Sequence, residues 1–473
     1  MNRMSYKTQA GRLPWLDEAR ASLSLSGHLL LGQVSLMLMP VMDIFTVAPL
    51  GSLPLAAVGL VNSFTALLLL FCFGVMQAIA PLAGKALATA DGRQTARQIL
   101  TQALLLASVM GLVAAFSTHL FVILVPHLGQ DPAVAEAARR YADSMAIALV
   151  PAAWLTAWRV SYPLLGQART LALTLAACAL LHGLANQVLV HGFGDLAGLG
   201  IAGLGWSYAL SYGVAAACFT AQDGLASARD PAARAGTDKA VPDQAWIRRL
   251  LSIGLPIGAV MAIEYTLFTG STLLMGRHGG QALAAHAVAM QWVTLAFIIP
   301  LAMSNTVLTR LSLAIGRTDA DEVRRVVNVA CAIALGFHTA IALVYLLAPV
   351  PLAGWLLPAA TQDREALTAL AAPMLRLAAL LQGFNGMAVV LAAVLRACRD
   401  TRAPLFQVFA GYWIAGLGSA WLLSEWLGPI GVWLGMCLGF GLTVFLLLGR
   451  VRQRLLHLSD IFPQPEVAHA QSR

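Results

Sequence analysis

The sequence is a succession of apolar runs, each longer than 20 residues, following one another from about residue 27 to about residue 450. A helix needs roughly 18 or more apolar residues to cross a bilayer, and these runs meet that length. They are rich in Ala, Leu and Gly and lack the strict alternation of strands. Hydrocarbon offers the backbone no water, so each run must satisfy its own N–H and C=O groups as a helix. Composition agrees: 59% of the 473 residues are hydrophobic and 11% are charged, against about 25% charged in a soluble domain. The expectation is an all-α integral membrane protein.

Twelve spans are expected, at roughly 27–50, 55–83, 100–126, 137–164, 170–192, 197–221, 248–276, 281–309, 325–349, 367–394, 404–424 and 428–450. Most Lys and Arg fall on one side of them. That side holds Lys85, Arg93, Arg97, Arg169, Arg229, Arg234, Lys239, the segment from Arg310 to Arg325, the "RACRDTR" loop and both tails. The other side has Arg139, Arg140, Arg277 and Arg364. The positive-inside rule then places both termini in the cytoplasm of a bacterial inner-membrane protein. The net charge of +8 is thereby read as orientation and lipid contact, not nucleic-acid binding. Residues 1–26 contain Arg3, Lys7, Arg12, Asp17, Glu18 and Arg20 without the short apolar core of a signal peptide, and read as a cytoplasmic lead-in. Residues 222–247 are polar and read as a linker between two six-helix lobes, 27–221 and 248–450, with a cytoplasmic tail at 451–473. No loop is large enough for a catalytic or nucleotide-binding domain, and no GxxxxGK[ST] stretch is present. The six cysteines stand singly in or beside apolar runs, as small buried residues. No cofactor is expected, and the chain is expected to act as a monomer.

The halves repeat. "GSLPLAAVGL" (51–60) aligns with "GGQALAAHAV" (279–288) at an offset of 228, which also carries Gly200 to Gly428 and Gly203 to Gly431. Six spans is an even number, so both halves enter the membrane in the same direction. Parallel repeats about an axis along the membrane normal leave a central cleft, the architecture of an alternating-access transporter.

Polar residues inside the spans mark where such a cleft does chemistry, because a central charge costs at least about 2.5–3.5 kcal/mol. Asp43 is the ionisable residue of "SLMLMPVMDIFTVAPLG", just after Pro40 and about 12 Å below the outer end of its span. His182 and Asn186 of "LLHGLANQVLVHG" are i, i+4 and lie about 15 and 9 Å below the same surface. Three polar groups from two spans thus share one depth. In the second half, Glu264 sits in mid-span of "GLPIGAVMAIEYTLF", and Asn385, with Gln382 nearby, lies at similar depth in "LLQGFNGMAVV". Arg159 and Arg376 are also within spans, where each neutralises a carboxylate, meets substrate, or snorkels to an interface. Met261 and Tyr265 are candidates for cleft walls.

Over almost its whole length the chain resembles the multidrug and toxic-compound extrusion (MATE) transporters. The resemblance is carried in order by "MDIFTVAPLGSLPLAAVGL", "LGIAGLGWSYALS", "HGGQALAAHAVAMQWVTLAFIIPLAMSNTVLTRLSLAIG" and "VLRACRDTRAPL". It implies two pseudo-symmetric six-helix bundles and export of organic compounds in exchange for H⁺ or Na⁺. Asp43 and Glu264 fall on the family's acidic positions in the first and seventh spans, and Asn186 on an Asn or Asp position in the fifth. His182 stands where the family usually has Asn, Asn385 where many members have Asp, and Leu381 where some have Tyr. Na⁺ has two candidate places, Asp43 with Asn186 or Glu264 with Asn385. A dehydrated Na⁺ needs several oxygen ligands, and an imidazole is a poor one, so H⁺ is the expected coupling ion. The rival readings are a lipid-linked precursor flippase, which wants a strongly cationic cleft, and a membrane-embedded transferase, which wants acids or His on a sizeable outer loop.

Overall fold

The computed structural model describes residues 15–89, 92–128, 131–194, 196–229, 242–357 and 363–462. Parts of the expected lead-in, linker and tail, with Arg3, Lys7, Arg12, Arg234 and Lys239, lie outside the described residues. Twelve long helical rods follow in order: α1 Trp15–Val47, α2 Ser52–Ala86, α3 Gly92–Leu124, α4 Pro132–Leu164, α5 Ala168–His191, α6 Ile201–Arg229, α7 Gln244–Gly276, α8 Gly280–Gly316, α9 Ala320–Leu347, α10 Arg364–Ala397, α11 Arg402–Leu427 and α12 Pro429–Leu456. A short helix, Pro349–Leu356, follows α9, and a two-stranded hairpin, β1 Gly192–Phe193 with β2 Leu196–Ala197, joins α5 to α6. Ten of the twelve rods are long and apolar enough to cross a membrane by length and composition. The remaining two, α4 and α6, each carry two Tyr together with Trp and Ser.

The rods are longer than the hydropathic runs. At 33 residues α1 measures about 50 Å at 1.5 Å per residue, against a hydrocarbon core of roughly 30 Å. Residues 15–26, expected as a separate lead-in, continue the first helix, because Asp17 and Glu18 in its first turn suit the positive end of the helix dipole. The described ends of the expected linker are likewise helical, in α6 and α7. Helix starts follow local chemistry. Asp131, Asp243 and Asp319 each cap a helix by accepting a backbone N–H, from Ala133 and Ala245 at 2.8 Å and from Glu322 at 2.9 Å.

Two bundles result, α1–α6 and α7–α12, packed in the same way. In the first, α4 packs against α2, α3 and α6, α5 against α6, and α1 against α5. In the second, α10 packs against α8, α9 and α12, α11 against α12, and α7 against α11. The bundles meet where α1 packs on α8 and α2 on α7, two contacts that exchange under the repeat. The repeated glycines have a backbone reason. Gly51 and Gly279, at the starts of α2 and α8, have φ of 108° and 95°, and Gly200 and Gly428, before α6 and α12, have φ of 59° and 57°. L side chains rarely adopt that region.

Between the bundles the backbones approach closely. A Cβ on Gly74 of α2 would come within 2.6 Å of Gly258 Cα in α7, and one on Gly84 within 2.6 Å of the Ser312 carbonyl in α8. These residues lie in the C-terminal half of α2, the N-terminal half of α7 and the end of α8, at the end of the molecule that bears the start of α1.

Candidate functional site

Pro40 interrupts α1 three residues before Asp43 and removes one backbone hydrogen bond there. Asp43 itself is fully buried, and both of its oxygens are occupied. His182 Nε2 lies 2.7 Å and Asn186 Nδ2 3.0 Å from Oδ1, and the Tyr208 hydroxyl donates to Oδ2 at 2.6 Å. His182 and Asn186 come from α5 and are fully buried; Tyr208 comes from α6. The three residues that the sequence places at one depth are therefore brought together, joined by one that it did not single out.

Tyr208 has a signal of its own. Ser207, Tyr208, Ser211 and Tyr212 form a polar stripe on an apolar helix at i, i+4 spacing. The His182 and Tyr208 rings lie 4.2 Å apart and the Tyr208 and Tyr212 rings 5.4 Å apart. Nearby, the buried Tyr141 hydroxyl of α4 donates to Asn62 Oδ1 of α2 at 2.6 Å.

Hydrogen bookkeeping constrains the site. A short contact between a carboxylate oxygen and an imidazole nitrogen holds one proton, and with Asp43 ionised that proton sits on Nε2. Asn186 Nδ2, 3.2 Å from the same nitrogen, then donates only to Asp43. His182 Nδ1 and Asn186 Oδ1 are buried without a partner. A hydrogen on Nδ1 has no acceptor among the described residues. Three donors thus converge on the two oxygens of one buried carboxyl group.

The second bundle is arranged differently. Glu264 of α7 is half-buried with Oε1 unpartnered, and Asn385 of α10 is buried with Oδ1 unpartnered. Among the described residues no hydrogen bond joins them. Gln382 is fully buried and donates to the Val293 carbonyl of α8 at 3.0 Å. Met261 is buried one turn before Glu264, and the Tyr265 hydroxyl crosses to the first bundle, donating to the Ser63 carbonyl at 3.0 Å.

The two arginines singled out in the sequence pair with no carboxylate among the described residues. Arg159 donates to Gln33 Oε1 at 2.7 Å and lies over the Phe73 ring at 4.2 Å, and Arg376 is exposed on α10. The charge near Glu264 is instead Arg396, close enough for the two to interact, which also donates to Ser304 Oγ at 2.8 Å. Its place at the start of the "RACRDTR" stretch makes it read as a loop charge in the sequence.

The MatE family model matches residues 29–188 and 256–422. "Probable multidrug resistance protein NorM" of Synechococcus sp. is 31% identical over 469 residues, 96% of this chain and 98% of the relative. The protein of the same name from Brucella suis is 29% identical over 460 residues, 94% of this chain and 95% of the relative. In fold the chain is similar to the Vibrio cholerae MATE transporter VcmN in the bent form, with a TM-score of 0.83, 19% identity, and coverage of 95% and 99% of the two chains. It is also similar to the eukaryotic MATE transporter AtDTX14, with a TM-score of 0.80, 18% identity, and coverage of 95% and 100%. Sequence, repeat and fold agree: the chain belongs to the MatE family of membrane transporters, twelve helices in two bundles, and is not an enzyme.

Proposed function

We propose that the chain is a proton-coupled antiporter that exports organic, cationic or amphiphilic compounds from the cytoplasm of a bacterial cell. The observation that carries the reading is the buried Asp43 with three donors on its two oxygens. A proton arriving from outside neutralises the carboxylate, breaks part of that network and frees α1 to bend at Pro40. Sodium is disfavoured by the same donors. A Na⁺ needs oxygen ligands, and the carboxylate lone pairs here face N–H and O–H groups, leaving Asn186 Oδ1 as the unengaged oxygen. Glu264, with Asn385, serves as a second acidic group on the transport path, and Arg159, Arg376, Met261, Tyr265 and Gln382 shape the substrate route. The lobes 27–221 and 248–450, joined by 222–247, act as the rocking bodies of alternating access. Both termini face the cytoplasm, as the one-sided Lys and Arg distribution favours. The name multidrug resistance protein NorM borne by the relatives supports export of several organic compounds.

The test is export by purified protein in liposomes with each gradient imposed alone. A pH gradient in Na⁺-free buffer is expected to drive export of organic cations. Export driven by inward Na⁺ at matched pH, and absent with the pH gradient, overturns the proton assignment.

A further inference from the structure

The contact between α1 and α8 carries polar groups that the coupling site does not use. Glu18, in the first turn of α1, is fully buried. Arg310, near the end of α8, holds it in two parallel bonds, Nε to Oε1 at 2.6 Å and Nη2 to Oε2 at 2.5 Å. Ser22, one turn along α1, donates to Glu18 Oε1 at 3.0 Å. Ser26, one turn further, meets Thr306 Oγ1 at 2.8 Å, and Thr306 lies one turn before Arg310. Two rows at i, i+4 spacing thus face each other, one from each bundle. Beside them Gly84 and Gly316 bring α2 and α8 to backbone contact, where a Cβ on Gly316 would come within 2.3 Å of the Gly84 carbonyl.

A forked arginine–carboxylate pair is strong at one relative placement of its two helices and falls away when they shift. A buried carboxylate stripped of its arginine is costly until water reaches it. The seam therefore has two favourable arrangements: closed with the pair made, or open wide enough to hydrate both charges. A slight parting satisfies neither. From these contacts we propose that Glu18 and Arg310 form an ionic latch that closes the lobes at the face bearing the start of α1, and that every transport cycle must break it. The proposal rests on the alternating-access reading. It puts a second charged checkpoint on α1, about 37 Å along the helix from Asp43, with the Pro40 interruption close to Asp43. A bend at Pro40 then works against the latch through one continuous rod.

The experiment uses the full chain with its six native cysteines replaced and with Ser26→Cys and Thr306→Cys introduced. Oxidation is expected to cross-link the pair and stop export, and reduction to restore it. Adding Glu18→Gln or Arg310→Gln should slow cross-linking several-fold in protein that still elutes as a folded species. The exchange Glu18→Arg with Arg310→Glu should recover most of the rate. Unchanged cross-linking in both single variants overturns the latch, as does an exchange no faster than the singles. A cross-linked protein that still exports shows that the seam need not open. Cross-linking is read without substrate or gradient. If the reduced protein exports nothing under any gradient, that failure falls on the functional reading, and the cross-linking rates still decide the latch.

Discussion

Two oxygens and three donors set what happens at Asp43. Each charge-assisted bond there contributes about 1.5–3 kcal/mol, and together they hold α1, α5 and α6 in one register. Asp43→Asn keeps the volume and removes the charge and, on the proposed reading, the proton site. Export is expected to be abolished with the protein still inserted at normal level, as read by vesicle uptake and immunoblot. Tyr208→Phe removes one donor and leaves Oδ2 bare. Its expected effect is intermediate, an export rate reduced by about tenfold at unchanged protein level. A rate equal to wild type would make Tyr208 a packing residue. Asp43, His182 and Asn186 were legible because depth can be counted along a helix and i, i+4 fixes a face. The meeting of Tyr208 with Asp43 was not, because it depends on how α1 and α6 each pack on α5, which no local pattern encodes. Depth alone also misleads. Counting put Glu264 and Asn385 at one level, yet it gives no rotation about the helix axis, and no bond joins them.

Element ends are where hydropathy runs out. The apolar runs give the buried middle of each helix, and caps such as Asp131 and Asp243 and glycines such as Gly428 mark ends that lie beyond it; α1 is already helical at Trp15, although the apolar pattern begins near residue 27. One such limit carries a testable charge. Asp400, between α10 and α11, accepts from Arg454 Nε and Arg450 Nε, both at 2.6 Å. Burial pushes its carboxyl up, but the hydrogen bonds and charges of Arg454 and Arg450 outweigh burial and hold it below the usual carboxylate range. A depressed carboxyl contributes stability that is present above its unfolded value and lost as pH falls through the folded one. Asp400→Asn is therefore expected to lower stability by about 1–2 kcal/mol at neutral pH. The gap between variant and wild type should narrow as pH drops below about 4. Thermal unfolding in detergent across a pH series measures both; a gap that widens in acid contradicts the pairing.

At the scale of the molecule, the sequence repeat announced two bundles, and the matching φ values of its glycines give that repeat a backbone basis. What it left unread is how the bundles touch, since close contact between helices far apart in the chain leaves only scattered glycines behind. Gly258 marks such a contact: a Cβ there meets the Phe71 carbonyl at 2.8 Å and Val75 Cγ2 at 3.0 Å. Gly258→Leu should overpack the seam by about 1–3 kcal/mol and slow export while each bundle still folds; an unchanged initial rate would show that the seam tolerates being held apart. The glycine register has one more consequence. Moved by 228 residues, Asp43 falls on Ser271, whose hydroxyl is spent on the Phe268 carbonyl of its own helix, and Tyr208 falls on Met436. Glu264 maps back to Leu36, about 10 Å along α1 from Asp43. The two acids do not occupy equivalent positions of the repeat, and each half carries its acid at a different level of its first helix. The offset leaves the two lobes unlike each other to an arriving ion, although their backbones repeat.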